Sequence, residues 1–162
     1  MKQFSGQPRV AFRGAIALII AFMAVMAGCS RPDSYEEFVR IEDKTADGLY
    51  HFPLDLSDST AVYDVSFFSR IDCTRSRLAS IEDFPMTVLW TSPSGVKYSE
   101  KVFFPVSSYA GSSGFYSHQY RIPYRTGIVP ERTGVWDMAV RIESDRYIPG
   151  FRGLGVVCKK RL

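Results

Sequence analysis

Seven stretches of this chain alternate apolar and polar residues with a period of two, and that alternation dictates sheet. Tyr50, Phe52, Leu54 and Leu56 alternate with His51, Pro53 and Asp55; Tyr63, Val65, Phe67 and Ile71 oppose Asp64, Ser66 and Arg70. Met86, Val88 and Trp90 form the next set, and Val96, Tyr98, Val102 and Phe104 follow, with Lys97, Ser99 and Lys101 outward. His118, Tyr120, Ile122 and Tyr124 oppose Gln119, Arg121 and Arg125, and Trp136, Met138, Val140 and Ile142 oppose Asp137, Arg141 and Glu143. Leu154, Val156 and Cys158 close the series. Successive side chains of a strand point to opposite faces, so each stretch reads as a half-buried antiparallel strand. Asp58-Ser59-Thr60, Ser92-Pro93-Ser94-Gly95, Gly111-Ser112-Ser113-Gly114, Arg132-Thr133-Gly134 and Pro149-Gly150 supply the turns between them. Strands with one polar face each bury the other by stacking two sheets. The expected fold is all-β, an antiparallel two-sheet β-sandwich of about seven to eight strands over residues 47–162.

The start of the chain follows different rules. Lys2, Arg9 and Arg13 precede an unbroken apolar run from Gly14 to Met26, too short for the roughly 20 residues that cross a bilayer and suited to the core of a signal peptide. Met26-Ala27-Gly28-Cys29 resembles a bacterial lipobox. The resemblance implies a lipoprotein signal peptide over residues 1–28 and lipidation of Cys29 with palmitate-like chains, followed by a tether to residue 46 with one helical turn around Ser34 to Phe38. Each buried CH₂ contributes about 0.8 kcal/mol, so several acyl chains hold a protein to a membrane durably. Ser30 after Cys29, with no Asp there, implies sorting to the outer membrane, and Ser30-Arg31-Pro32-Asp33 lacks the acidic run of surface-displayed lipoproteins. A domain facing the periplasm is the expectation.

The formal charge of +3 hints at an acidic partner, but the first 28 residues carry three cations and no acid. From Cys29 onward 17 basic residues balance 17 acidic ones, which removes the support for nucleic-acid binding. Export also sets the redox context. With Cys29 acylated, Cys73 and Cys158 remain as a candidate disulfide pair in an oxidising compartment, or as two buried thiols.

Three features together resemble the gliding-motility-associated lipoprotein family (GldH-like): the lipobox and short tether; Phe52-Pro53-Leu54-Asp55-Leu56-Ser57-Asp58 running into Tyr63 and Arg70; and Gly134 to Arg141 followed by Ile148-Pro149-Gly150-Phe151-Arg152-Gly153-Leu154-Gly155-Val156. Tyr50 and the Arg- and Ser-rich stretch from Thr74 to Ser80 depart from that pattern. The resemblance implies a non-enzymatic outer-membrane lipoprotein that supports gliding and secretion machinery through an envelope protein partner. It supplies no catalytic residue; Asp58, Tyr63, Arg70 and Gly153 match as structural positions.

Local motifs agree with a protein that is not an enzyme. No G-x-S-x-G, H-E-x-x-H or C-x-x-C occurs, and of the two histidines His118 has core parity while His51 points outward. A hydrolase would need a pocket that sets one of them against a carboxylate. Asp55, Asp58 and Asp64 lie within ten residues, but acids at turns ordinarily bond the backbone, so neither a metal site nor a cofactor is expected. The stretch from Phe103 to Tyr116 is the candidate partner or glycan loop: Phe103, Phe104, Tyr109, Phe115 and Tyr116 stand among Gly and Ser, where exposed rings stack on sugars or seat a protein. Lys159-Lys160-Arg161 offers a basic end for anionic headgroups. Two functions follow as expectations: an envelope interaction module, or a carbohydrate-binding sandwich that captures polysaccharide.

Overall fold

A computed structural model describes residues 33–107 and 114–161; Cys29 and Tyr109 lie outside them. The expected sandwich is there. Its strands are β1 (Ser34–Arg40), β2 (Tyr50–Asp55), β3 (Val62–Asp72), β4 (Phe84–Thr91), β5 (Lys97–Phe104), β6 (Ser117–Ile128), β7 (Val135–Arg141) and β8 (Phe151–Arg161). They form two four-stranded sheets, β1-β8-β3-β6 and β2-β7-β4-β5, antiparallel at every junction. The core between the sheets takes the inward residues of both: Tyr50, Phe52 and Met138 from the second sheet meet Phe67, Leu154 and Val156 from the first.

The alternation placed most of these faces correctly, and the departures have physical causes. Ser34–Arg40 is not tether or helical turn but a strand, paired with β8 from Ser34↔Lys159 to Arg40↔Gly153. Its pattern is hard to read because Glu37 shares the inward parity of Tyr35 and Val39, while Phe38 faces out. That outward phenylalanine has a purpose. Gly155 of β8 bears no side chain, and the Phe68 ring lies over it so closely that an added Cβ would sit 2.2 Å from Cζ. Phe38 stacks on Phe68 with centroids 5.7 Å apart, so this stretch of β8 is covered on both faces. Val96 and Tyr98 were expected inside but are 47% and 46% exposed. Val96 belongs to the turn before β5, and β5 is an edge strand that the first sheet does not fully cover.

The loops at one end are stitched by a buried charge. Asp145, 2% exposed, accepts from Lys44 Nζ at 2.5 Å and from Tyr50 Oη at 2.7 Å. Both bonds fall on Oδ2, and together they offset the cost of burying the carboxylate. Nearby, Gly150 has a φ of +75° and its carbonyl accepts from Asp72 N–H at 2.8 Å. A Cβ there would stand 2.1 Å from the Asp72 carbonyl oxygen.

These two glycines are expected to differ on substitution. Gly150→Ala meets a fixed backbone oxygen in a left-handed conformation and should cost about 3 kcal/mol in urea denaturation. Gly155→Ala meets a ring that can swing toward solvent and should cost nearer ~1 kcal/mol. Equal costs, or the reverse order, would contradict this packing.

Candidate functional site

The sheets do not close over each other everywhere. At the corner where β5 begins and β6 ends, a cavity of about 390 Å³ opens between them, lined by Trp90, Tyr98, Glu100, Arg125, Glu131 and Trp136 among others. The chain has two tryptophans, and both line this mouth. Local pairing brings the rings together: Trp90 is the register partner of Tyr98 across the β4–β5 hairpin. Trp136, on the inward face of neighbouring β7, stacks on Tyr98 at 6.2 Å and 26° and meets Trp90 edge-on at 6.2 Å and 78°.

Hydrogen bonds fix the two indoles from behind. Trp90 Nε1–H donates to Tyr124 Oη at 3.0 Å, Trp136 Nε1–H donates to the Arg132 carbonyl at 2.8 Å, and Tyr124 Oη–H donates to Glu100. Arg125 completes the set with Nη2 2.6 Å from the other Glu100 oxygen. Burial alone would raise the Glu100 carboxyl, but the bonds from Arg125 and Tyr124 outweigh it and hold the group below the usual carboxylate range. Burial and the Glu100 charge push the Tyr124 hydroxyl up to about 12, so it stays a donor. The mouth thus offers aromatic faces beside an ionised carboxylate and a guanidinium. Among the described residues its lining contains no histidine, cysteine, serine or threonine.

A larger concavity, about 770 Å³, is a groove on the outer face of the first sheet. Its charges are largely committed to one another. Arg70 and Arg152 both hold Asp72, at 2.8 and 2.9 Å, and Arg121 lies 3.2 Å from Glu36 and over the Phe68 ring. We take the smaller mouth as the site because its polar groups face a cavity walled by fixed rings, whereas the groove covers sheet.

The residues singled out from sequence scatter. Phe103 and Phe104 are not loop residues but the end of β5. Phe104 is fully buried and stacks on Phe84 at 5.0 Å and 2°, whereas Phe103 is 66% exposed on the opposite face. Phe115 and Tyr116 are exposed just before β6, at the end of the sandwich away from the mouth. His118 is buried with Nε2 3.0 Å from the Cys73 carbonyl. His51 stands 3.3 Å from a carboxylate, Asp137, but on the outer face of the second sheet with both groups well exposed. The three turn acids are used separately: Asp55 bonds Ser57, Asp58 takes the Thr60 N–H and Lys160, and Asp64 takes the Gly127 N–H and Arg161. Among the described residues no three His, Cys, Asp or Glu converge on a metal position. The same ion pairs commit Lys160 and Arg161 of the basic end.

Cys73 and Cys158 are free thiols rather than a disulfide. Cys158 is the register partner of Val65, eight positions along the chain from Cys73, and at about 3.3 Å per residue the two lie roughly 25 Å apart. A bridge needs Cα atoms within about 7 Å. Burial raises the Cys73 thiol and pushes the Cys158 thiol up to about 11, so neither forms a reactive thiolate near neutrality.

Neither a protein-family model nor a curated protein matches this chain.

Two outcomes are expected. Thiol titration of the unreduced protein should find Cys73 and Cys158 silent when folded and both reactive in denaturant; a mass 2 Da below the reduced form would contradict the register. Acid should also act through Asp72. Burial raises its carboxyl, but bonds from Arg70, Ser117 and Arg152 bring it below its ordinary value. A carboxyl lowered on folding stabilises above its unfolded value near ~3.9, and the gain is lost as pH falls through the folded value. Stability should therefore drop as pH falls below about 4, and Asp72→Asn should flatten that drop while lowering stability at pH 7.

Proposed function

We propose that this chain is a lipid-anchored envelope protein, similar to the gliding-motility-associated lipoproteins, whose β-sandwich is a non-catalytic recognition module. The N-terminal address, from the basic start through Met26-Ala27-Gly28-Cys29, supports anchoring at the outer membrane facing the periplasm. The observation that carries recognition is the mouth at the β5/β6 corner, where Trp90 and Trp136, held by internal hydrogen bonds, and Tyr98 flank a carboxylate–guanidinium pair. Such a site is suited to binding: it has stacking faces, an acceptor and a donor, and its Glu100 carboxylate is held by Tyr124 and Arg125.

Anchoring does the rest of the work. A tethered domain samples a thin layer over the membrane, so weak contacts with a partner in that layer become effective. A partner protein bound to the gliding or secretion machinery and a glycan of the envelope both fit this mechanism. The aromatic mouth favours the glycan, and the family resemblance favours the protein.

Cells fed a clickable fatty acid test the anchoring. Label should appear in the outer-membrane fraction, disappear in Cys29→Ala, and resist protease added to intact cells. Label that persists in the variant would overturn the lipoprotein reading. Label that is lost but accompanied by protease sensitivity in the wild type would place the domain on the cell surface and overturn its periplasmic orientation.

A further inference from the structure

We infer that the mouth at the β5/β6 corner is a saccharide-binding site, which seats a neutral or amino-bearing pyranose face-on against Tyr98 and takes its hydroxyls on Glu100 and Arg125. This rests on the recognition reading above and adds the ligand class.

The rings provide the first reason. One face of a pyranose is a patch of C–H bonds, which packs against the electron-rich face of an aromatic ring. Tyr98, 46% exposed, presents such a face; Trp136, 9% exposed, stacks on it within 26° of parallel, and Trp90 stands nearly perpendicular to Trp136 as a side wall. Because both indole N–H groups are already bonded within the protein, the indoles are held before a ligand arrives, and binding loses little side-chain freedom.

The polar rim provides the second. The Glu100 and Arg125 side chains are 32% and 55% exposed while bonded to each other, so each retains hydrogen-bonding capacity toward solvent. A carboxylate acceptor next to a guanidinium donor matches two neighbouring sugar hydroxyls, each of which both donates and accepts. Two carboxylates, Glu100 and Glu131, against one guanidinium make the lining net negative, which disfavours uronic-acid or phosphate-bearing chains. The volume, about 390 Å³, lies in the range of small-ligand sites, about 300–1,000 Å³.

The rim also argues against a proline-rich peptide. Such a peptide docks its carbonyls on tryptophan and tyrosine donors. Here Trp90, Trp136 and Tyr124 donate inward, to Tyr124, Arg132 and Glu100.

Intrinsic fluorescence is the natural readout, since both tryptophans line the mouth. The full-length chain in a zwitterionic detergent would be titrated with hexasaccharides of glucose, mannose and N-acetylglucosamine, with a hexauronate, and with a proline-rich decapeptide. At least one neutral saccharide should give a saturable change with a dissociation constant of about 0.1 mM. Tyr98→Ala and Glu100→Gln should each weaken it about tenfold, and Phe115→Ala should leave it unchanged. Tyr98 is 46% exposed on an edge strand, so its truncation spares the core, and circular dichroism checks that each variant is folded. No change with any neutral saccharide below about 10 mM, a response to the hexauronate or peptide alone, or undiminished binding in Tyr98→Ala would overturn the assignment. Any of these would leave the anchoring reading intact, because the acyl label reports on that separately.

Discussion

A polar bridge sets the geometry of the site. Trp90 of the second sheet donates to Tyr124 of the first, Tyr124 donates to Glu100 of the second, and Arg125 of the first returns to Glu100. Four side chains thus cross between the sheets at a corner where apolar packing gives way. Elsewhere the sheets meet through interdigitated aromatics such as Phe84, Phe104, Tyr120 and Phe151. Directional bonds replace that contact at the β5/β6 corner, and the rings they hold are left partly exposed to line a cavity. Removing one member would leave the others with unpaired polar groups, so the bridge acts as a unit.

Rigidity behind the bridge comes from β8. This strand is bonded to β1 on one side and β3 on the other, and β6 joins the sheet through β3. Its inner face carries Leu154, Val156 and Cys158, and its outer face is closed over Gly155 by Phe68 and Phe38. A strand covered on both faces leaves little room to slip register. The scaffold that presents Tyr124 and Arg125 is therefore firm, while the second sheet supplies the more open edge.

Much of this was legible in the chain. A period of two sustained through Tyr50–Leu56, Tyr63–Ile71, His118–Tyr124 and Trp136–Ile142 dictates inward and outward faces with no tertiary information. The edges were harder. Strand β1 carries Glu37 inward and Phe38 outward because its outer face has a glycine to cover, and alternation cannot express a second buried face. The mouth is hidden from the sequence for a related reason. Trp90 and Trp136 have core parity, and nothing in their spacing tells a sealed corner from an open one. The four-residue turn Ser92-Pro93-Ser94-Gly95, which pairs Trp90 with Tyr98, was the available signal. The Gly- and Ser-rich stretch reads as a loop from its composition, yet Phe104 within it is core. Parity likewise placed Cys73 and Cys158 inside without showing that they lie at distant points of the first sheet.

The central claim is that recognition occurs at the β5/β6 corner. The most direct measurement is a map of amide and indole N–H resonances while envelope polysaccharide isolated from the cells is added. The account predicts that both tryptophan indole signals move, together with the backbone of Tyr98, Glu100 and Arg125. Shifts confined to Phe103, Phe115 and Tyr116, with both indoles unmoved, would contradict it.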